Sequence, residues 1–249
     1  MSGHSKWASI KHKKGKTDAK RGQLFTRLIK EITIAAKAGG GDVDGNARLR
    51  AAVLTARSQN MPNDNIDKAI KRGTGQLEGV NYEEVTYEGY GPGGVAIICE
   101  TQTDNRNRTV SEVRRMFEKS GGNMATQGAV SWNFDMMGVI EVEGADEDAL
   151  FEAALDAGAN DVSNEESFFE ITTAPSDVMP VADKLRAAGF TVTSAKVARI
   201  PRTFVKLTGK EAEQMLRLME TLEDGEDTKA VWANFDIDEK ELERIEELL

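Results

Sequence analysis

The spacing of apolar residues is helical in the first third of the chain. Leu24, Leu28 and Ile32 lie four residues apart, as they would on the inner face of a helix. Glycines at 39–41 and Gly73 follow two such segments, and glycine commonly ends a helix. The short connections between these segments are typical of a small bundle. The predicted helices cover residues 18–38, 46–58 and 63–72.

After residue 78 the pattern changes to strands that alternate with amphipathic helices. Residues 95–103 (VAIICETQT) are typical of a buried strand, and residues 106–119 place apolar side chains along one helical face. Residues 137–200 follow the order strand, helix, strand, strand, helix, strand, which is one βαββαβ unit. The predicted strands are 84–89, 95–103, 129–135, 139–143, 161–164, 168–173, 191–199, 203–208 and 229–236, and the predicted helices are 106–119, 146–157, 176–188, 210–223 and 238–249.

The order of these elements predicts an insertion. Residues 95–135 and 203–236 each have the pattern strand, helix, strand, and the complete βαββαβ unit separates them. The predicted fold class is therefore α+β, with an N-terminal three-helix bundle followed by two ferredoxin-like α/β domains, the second inserted into the first. One continuous mixed sheet is the alternative. The predicted domains are a basic arm at 1–18, the bundle at 19–78, a split domain at 79–136 plus 201–249, and an inserted acidic domain at 137–200.

The net charge of −10 conceals a segregation of charge along the chain. Residues 1–78 hold 16 Lys and Arg against 7 Asp and Glu, whereas the remaining residues hold 16 against 35. Residues 137–200 hold 4 basic and 13 acidic residues. We therefore expect the N-terminal third to bind a polyanion and the inserted domain to point away from it. The inserted domain could instead dock a basic protein such as a ribosomal protein, or have no partner.

Several classes of protein are disfavoured by what the chain lacks. A single cysteine, Cys99, and two histidines give little basis for a disulfide or a metal centre. Gly89, Gly91 and Gly94 fit a dinucleotide-binding pattern, but Pro92 and a following strand favour a hairpin turn. No apolar run approaches the roughly 20 residues that span a bilayer. We predict a cytoplasmic, non-enzymatic protein with no cofactor, no metal, no membrane contact and no small-molecule substrate.

The candidate nucleic-acid site is the lysine-rich arm together with basic side chains of the bundle. Each cation that neutralises a phosphate releases condensed counterions, so clustered Lys and Arg residues favour binding to nucleic acid. Trp7 would either stack on a base or pack back onto the bundle. The predicted nucleic-acid-binding residues are Lys6, Trp7, Lys11, His12, Lys13, Lys14, Lys16, Lys20, Arg21, Arg48, Arg50, Arg57, Lys68, Lys71 and Arg72, and a second basic patch comprises Arg106, Arg108, Arg114 and Arg115.

Four long sequence blocks carry a family resemblance. They are GHSKWASIKHKKGKTDAKRGQLFTRLIKEI at 3–32, NMPNDNIDKAIKRG at 60–73, YEGYGPGGVAIICETQTDNRNRTVSEVRRMFEKSGGNM at 87–124 and AVSWNF at 129–134. These blocks resemble the YebC/PmpR family, which includes the mitochondrial translational activator of cytochrome c oxidase subunit I. The resemblance implies an N-terminal helical bundle, two α/β domains and a cytoplasmic, non-enzymatic protein, and it implies no catalytic residues. It also implies a DNA-binding transcriptional regulator, although some members look like ribosome-associated translation factors.

Three hypotheses for the function follow. The leading one is a DNA-binding transcriptional regulator, and the second is a translation factor that binds RNA or the ribosome. The predicted helices show no clear helix-turn-helix with a base-reading face, which favours the second hypothesis on the residues themselves. The third is a protein-interaction adaptor that acts through the acidic domain, and it predicts that binding survives deletion of residues 1–20.

Overall fold

The computed structural model describes residues 18–165 and 168–246. It confirms the α+β fold class, with N-terminal helices followed by two antiparallel sheet domains. In chain order the helices and strands are α1 (Asp18–Gly39), α2 (Ala47–Ser58), α3 (Asn63–Gly73), β1 (Glu83–Tyr90), β2 (Ala96–Thr103), α4 (Arg106–Lys119), β3 (Asn123–Ala125), β4 (Phe134–Glu143), α5 (Glu147–Ala157), β5 (Asp161–Glu165), β6 (Phe168–Thr173), α6 (Val178–Ala187), β7 (Thr191–Pro201), β8 (Val205–Lys206), α7 (Gly209–Glu223), β9 (Thr228–Ala233), β10 (Phe235–Asp236) and α8 (Glu239–Glu246).

The described chain divides into two compact units. One unit is the continuous segment Trp132–Phe204. The other contains the three N-terminal helices, the first sheet and the chain from Val205 onward. Each unit has its own buried apolar core, and the three-helix bundle has a further core within the larger unit.

The bundle forms as the apolar spacing predicts. α1 packs against both α2 and α3, and Ile32, Leu49 and Ile66 of the three helices meet in a shared core. Asn46 caps α2, because its side-chain oxygen accepts a hydrogen bond from the backbone N–H of Leu49. The charged side chains on the outer surface of the bundle are therefore carried by helices that share one core.

The sheet of the larger unit has the strand order β3-β1-β2-β9, and all its neighbouring strands are antiparallel. This is the strand order of a ferredoxin-like sheet. In the predicted split domain, residues 203–208 would have formed the strand beside β2, and β1 lies there instead. That strand prediction is wrong in part, because Val205–Lys206 pairs with Phe235–Asp236 in a separate two-stranded parallel sheet. A short hairpin turn joins β1 to β2. Pairing β1 with β2 therefore closes a much smaller loop than pairing residues 203–208 with β2 would.

Helices cover the inner face of this sheet. Phe117 of α4 and Met215 of α7 are fully buried against Ile97 and Cys99 of β2, and Ile245 of α8 joins the same core. Burial raises the pKa of the Cys99 thiol to about 12. The thiol is therefore protonated at neutral pH, and its role is to fill the core.

The unit Trp132–Phe204 also has the ferredoxin-like strand order, β5-β6-β4-β7. α5 and α6 pack on one face around Ile140, Leu150, Ile171 and Leu185. Residues 129–133, predicted as the start of a strand, instead form a turn followed by a short 3-10 helix. The reason is that the carboxylate of Glu88 binds backbone N–H groups in this segment, which makes them unavailable for strand pairing. None of the helices described is both long and apolar enough to cross a membrane.

Candidate nucleic-acid interface

Much of the predicted arm lies outside the described residues. Two further members of the predicted site are in the first turns of α1, and the structure does not describe their side chains. Those outside the described residues are Lys6, Trp7, Lys11, His12, Lys13, Lys14 and Lys16, and the two in α1 are Lys20 and Arg21.

Arg48 on α2 lies between two carboxylates. Its Nε is 2.7 Å from Oε1 of Glu31 on α1, and its Nη2 is 2.7 Å from Oε1 of Glu84 on β1. Lys229 of β9 also approaches Glu84, at 3.1 Å. Burial acts to raise the pKa of Glu84, but hydrogen bonds from Arg48 and Lys229 outweigh it and lower the pKa to about 2. The same two carboxylates raise the pKa of Arg48.

Arg48 is therefore removed from the proposed phosphate-binding set. Its charge is compensated within the fold, where it joins α1 and α2 to β1. A phosphate would have to compete with two carboxylates that are already aligned with the guanidinium group. The sequence placed Arg48 among basic neighbours and gave no sign that Glu84, far along the chain, reaches it.

A second ion network surrounds Asp227, in the turn between α7 and β9. One carboxylate oxygen is 2.7 Å from Nζ of Lys30, and the other accepts hydrogen bonds of 2.7 Å from Arg108 and from the Thr109 hydroxyl. The Asp227 side chain is 3% exposed. Burial acts to raise its pKa, but these donors outweigh burial and lower the pKa to about 2.

This network changes the predicted second basic patch. Arg108 is held by both Asp104 and Asp227, so we also remove it from the phosphate-binding set. Arg106 is paired more loosely, 3.8 Å from Glu83. Arg114 and Arg115 are exposed on α4, and within the described residues no carboxylate lies within 4.0 Å of either guanidinium group.

Two cations of α1 that the sequence analysis did not single out bind the α7–β9 turn. Arg27 donates to the backbone carbonyls of Glu223 and Gly225, the latter at 3.1 Å. Lys30 donates to the carbonyl of Glu226 at 3.1 Å as well as to Asp227. These residues fix the bundle to the first sheet domain. Their partners are nearly 200 positions away in the sequence, so no local pattern could have identified them.

The remaining predicted cations of the bundle are exposed and define what we call the exposed basic set. Arg50 of α2 donates a hydrogen bond of 3.1 Å to the backbone carbonyl of Asp44. On α3 the basic residues lie opposite the buried Ile66 and Ala69. In the described part of the chain no carboxylate pairs with any member. The exposed basic set comprises Arg50, Arg57, Lys68, Lys71 and Arg72.

The open face of the β5-β6-β4-β7 sheet is poorly suited to phosphate. Ile140 and Ile171 point to the helices, so Glu141 and the neighbouring Glu170 lie on the opposite face. Lys196 is 3.5 Å from Glu141, which offsets part of its own charge. Two carboxylates on neighbouring strands make this part of the face unfavourable for a phosphate.

Comparison with known proteins agrees with the fold. The model described as the TACO1/YebC protein N-terminal domain matches residues 5–76, and that of the TACO1/YebC second and third domain matches residues 82–235. The chain belongs to the TACO1/YebC family. This confirms the resemblance predicted from the sequence blocks.

Relatives of this TACO1/YebC protein match it over almost its full length. Proteins from Geotalea uraniireducens and Geobacter sulfurreducens are each 58% identical over 246 residues, which is 98% of this chain and 100% of each relative. Both are called probable transcriptional regulatory proteins. The crystal structure of a conserved hypothetical protein from Aquifex aeolicus matches with a TM-score of 0.86 and 44% identity, covering 94% of this chain and 97% of that one.

Proposed function

We propose that this TACO1/YebC protein is a regulator that binds DNA through its N-terminal arm and the exposed basic set of the bundle. The names of its relatives support a regulatory role in general. The observation that carries the proposal is the division of the cations into two groups. Lys30, Arg48 and Arg108 are used in internal ion pairs, whereas the exposed basic set is left without carboxylate partners in the described residues.

The physical basis of binding is neutralisation of phosphates by clustered cations. Lys68, Lys71 and Arg72 lie three and four residues apart on one side of α3, so they can meet neighbouring phosphates together. Each phosphate that is neutralised releases condensed counterions, and the affinity falls as salt is raised. The arm would add Lys11, Lys13 and Lys14 to the same binding event, and Trp7 could stack on an unpaired base.

Binding of structured RNA or the ribosome is the second candidate function. The outer side of α3 carries Lys68, Lys71 and Arg72, which are suited to phosphates. Reading of base edges in duplex DNA relies on Asn, Gln and Arg at the front of a helix in the major groove. A surface of lysines beside a short basic arm also fits recognition of a folded RNA by its shape and phosphates.

Salt-dependent binding tests the proposal. The affinity of the full chain for a fluorescent DNA duplex is measured over a series of salt concentrations, for the wild type and for Lys68→Glu/Lys71→Glu and Lys11→Glu/Lys13→Glu/Lys14→Glu. We expect weaker binding and a salt slope reduced by about one for each phosphate that is no longer neutralised. The matched control is Lys119→Glu/Lys210→Glu, which changes the charge of exposed lysines elsewhere by the same amount as the α3 pair. Equal losses of affinity in the control and the α3 variant would refute a localised site.

The two candidate functions are separated by competition. A duplex of promoter sequence, a duplex of shuffled sequence and ribosomes are added in turn to the labelled complex. Preference for the promoter duplex supports the DNA-binding regulator. If the two duplexes compete equally and ribosomes displace both, the translation-factor hypothesis replaces it.

A further inference from the structure

The outer side of α5 exposes two large apolar side chains one turn apart. Phe151 is 52% exposed and Leu155 is 64% exposed, while Leu150 and Ala154 of the same helix are fully buried in the core. The spacing of four residues places Phe151 and Leu155 next to each other on the helix surface. Neither is needed to fill the core of this unit.

Carboxylates surround this apolar pair. Asp148 and Glu152 lie on the same outer side, Glu147 precedes Phe151 by one turn, and Asp156 follows Leu155. In the part of the chain that the structure describes, no cation lies within 4.0 Å of any of these four carboxylates. Glu147 accepts a hydrogen bond of 3.3 Å from Asn164, which leaves its charge uncompensated. We call Phe151, Leu155 and these four residues the acidic α5 face.

The charge of this face restricts what can cover it. The unit Trp132–Phe204 holds 5 Lys and Arg against 14 Asp and Glu, so nucleic acid is repelled, and the same face of a second copy is repelled as well. Exposed apolar side chains that are rimmed by one sign of charge are typical of surfaces that bind a partner of the opposite charge. A matching partner therefore needs both cationic and apolar side chains.

We propose that the acidic α5 face docks a basic amphipathic segment of another protein. Apolar side chains of the segment would cover Phe151 and Leu155, which supply the contact area. Its Lys or Arg residues would pair with the carboxylates at the rim, which set the approach and the salt dependence. The protein would then hold nucleic acid with the bundle and a protein partner with α5.

The basic N-terminal arm of the same chain should be attracted more strongly to nucleic acid than to the acidic α5 face. Duplex DNA presents about one negative charge per 1.7 Å of axis, far denser than four carboxylates on one helix. When nucleic acid is bound, the arm is therefore occupied and the acidic α5 face stays available to the other protein. Docking at α5 does not depend on whether the nucleic acid is DNA or RNA.

A designed peptide tests the surface in the full-length protein. The probe is a fluorescent amphipathic helix of Lys and Leu about 20 residues long, enough for a helix to form. A peptide of the same composition in scrambled order measures attraction by charge without an apolar face. Fluorescence anisotropy over a range of salt concentrations gives the affinity, and sedimentation of the protein by itself reports self-association.

Two variants of the face are compared with two matched controls in the same unit. Phe151→Ala/Leu155→Ala removes the apolar pair, and Val197→Ala/Met136→Ala removes exposed apolar side chains elsewhere. Asp148→Lys/Glu152→Lys reverses the rim, and Glu143→Lys/Asp161→Lys makes the same change of charge at exposed positions of β4 and β5. Circular dichroism confirms that each variant is folded before binding is measured.

We expect each α5 variant to lose about tenfold or more in affinity for the amphipathic peptide, and each control to change by less than about twofold. The scrambled peptide should bind more weakly than the amphipathic one. Equal losses in variants and controls, or equal binding of both peptides, would show general charge attraction and overturn the inference. Dimers that disappear in Phe151→Ala/Leu155→Ala would also overturn it, because the occupant would then be a second copy. Binding to DNA is measured in parallel, so failure of the docking inference is distinguishable from failure of the proposed function.

Discussion

The buried carboxylate of Asp227 holds two cationic side chains in internal ion pairs. It neutralises Lys30 of α1 and Arg108 of α4 and accepts a hydrogen bond from Thr109. A buried charge is tolerated only when it is paired and hydrogen-bonded, and here the donors come from two separate helices. The residue therefore joins the bundle to the first sheet domain.

Replacing Asp227 by Asn should destabilise the protein substantially. The change leaves Lys30 and Arg108 facing a neutral amide, and breaking a buried ion pair from one side costs about 3–5 kcal/mol. Urea unfolding followed by circular dichroism measures the loss of unfolding free energy. The control is Glu226→Gln at the exposed neighbouring position, which should cost less than about 0.5 kcal/mol. A small effect of Asp227→Asn would mean that the network is not stabilising.

Lowering the pH should remove the contribution of ionised Asp227 to the free energy of unfolding. Because the pKa of Asp227 is lowered from 3.8 to about 2 in the folded protein, its contribution is fully present above the ordinary carboxyl pKa. The contribution is lost as pH falls from there towards about 2. The difference in unfolding free energy between wild type and Asp227→Asn should therefore shrink over this window. A difference that stays constant down to pH about 2 would contradict the assignment.

Asn46 connects two helices of the bundle as well as capping one of them. Its side-chain oxygen accepts from the N–H of Leu49 at 3.1 Å, and its amide group donates to the carbonyls of Ala35 and Gly40 at 2.8 and 2.9 Å. The residue is buried, so water cannot easily replace these bonds. It fixes where α1 ends and α2 begins.

Replacing Asn46 by Ala should cost more than loss of an ordinary helix cap. A missing cap costs about 0.5–2 kcal/mol, and loss of the two hydrogen bonds to the carbonyls of Ala35 and Gly40 adds to this. We expect a total of about 2–4 kcal/mol in urea unfolding. The matched control is Asp146→Ala at the cap of α5, which removes one hydrogen bond of 3.0 Å. Equal costs for the two variants would mean that the hydrogen bonds to α1 contribute nothing.

Glu88 of β1 shapes the segment that leads into the unit Trp132–Phe204. Its buried carboxylate accepts backbone N–H groups of Gly128, Val130 and Ser131 at 2.7–3.0 Å. Burial acts to raise the pKa of Glu88, but these three donors outweigh it and lower the pKa. The carboxylate stays ionised and holds the turn.

Replacing Glu88 by Gln should loosen this turn. The oxygen of the glutamine amide can still accept hydrogen bonds from the backbone N–H groups of Val130 and Ser131. Its NH₂ group, however, would face the N–H of Gly128, which would lose its acceptor. We expect a loss of about 1–3 kcal/mol and faster hydrogen exchange of the amides at 128–131. Glu83→Gln on the exposed end of β1 is the control. Unchanged exchange at these amides would show that Glu88 does not hold the segment.

Pairing between strands was harder to predict than the strands themselves. The alternation of residues identified β1, β2 and the four strands of the second unit, but not the place of β1 in the centre of its sheet. Alternation reports which side chains are buried and says little about which strand lies alongside. The partner depends on loop closure between segments, which is why the prediction for 203–208 failed in part.

The unit Trp132–Phe204 begins and ends at neighbouring points of the fold. Phe134 and Pro201 are paired at the start of β4 and the end of β7, and the N–H of Arg202 donates to the carbonyl of Asn133 at 2.8 Å. Entry and exit of the segment are therefore adjacent, as an inserted domain requires. The proposed border of that domain, 137–200, remains a prediction.

Replacing residues 132–204 by a short Gly-Ser linker should leave a folded protein. The larger unit keeps its own cores, and the neighbouring chain ends need little linker. DNA affinity should be unchanged or higher, because 14 acidic residues against 5 basic ones are removed. Circular dichroism and DNA titration at fixed salt measure both. A marked loss of affinity in a folded variant would mean that this unit contributes to binding.

The sequence by itself determined the three helices, the βαββαβ unit and the segregation of charge, because these depend on the spacing and type of neighbouring residues. It could not separate Arg48 from Arg50, two basic residues on the same helix. Tertiary structure places two carboxylates beside Arg48 and none beside Arg50 in the described residues. Whether a charged side chain is available to bind a ligand depends on which residues from distant segments lie beside it. Those neighbours are fixed only when the chain packs into its tertiary structure.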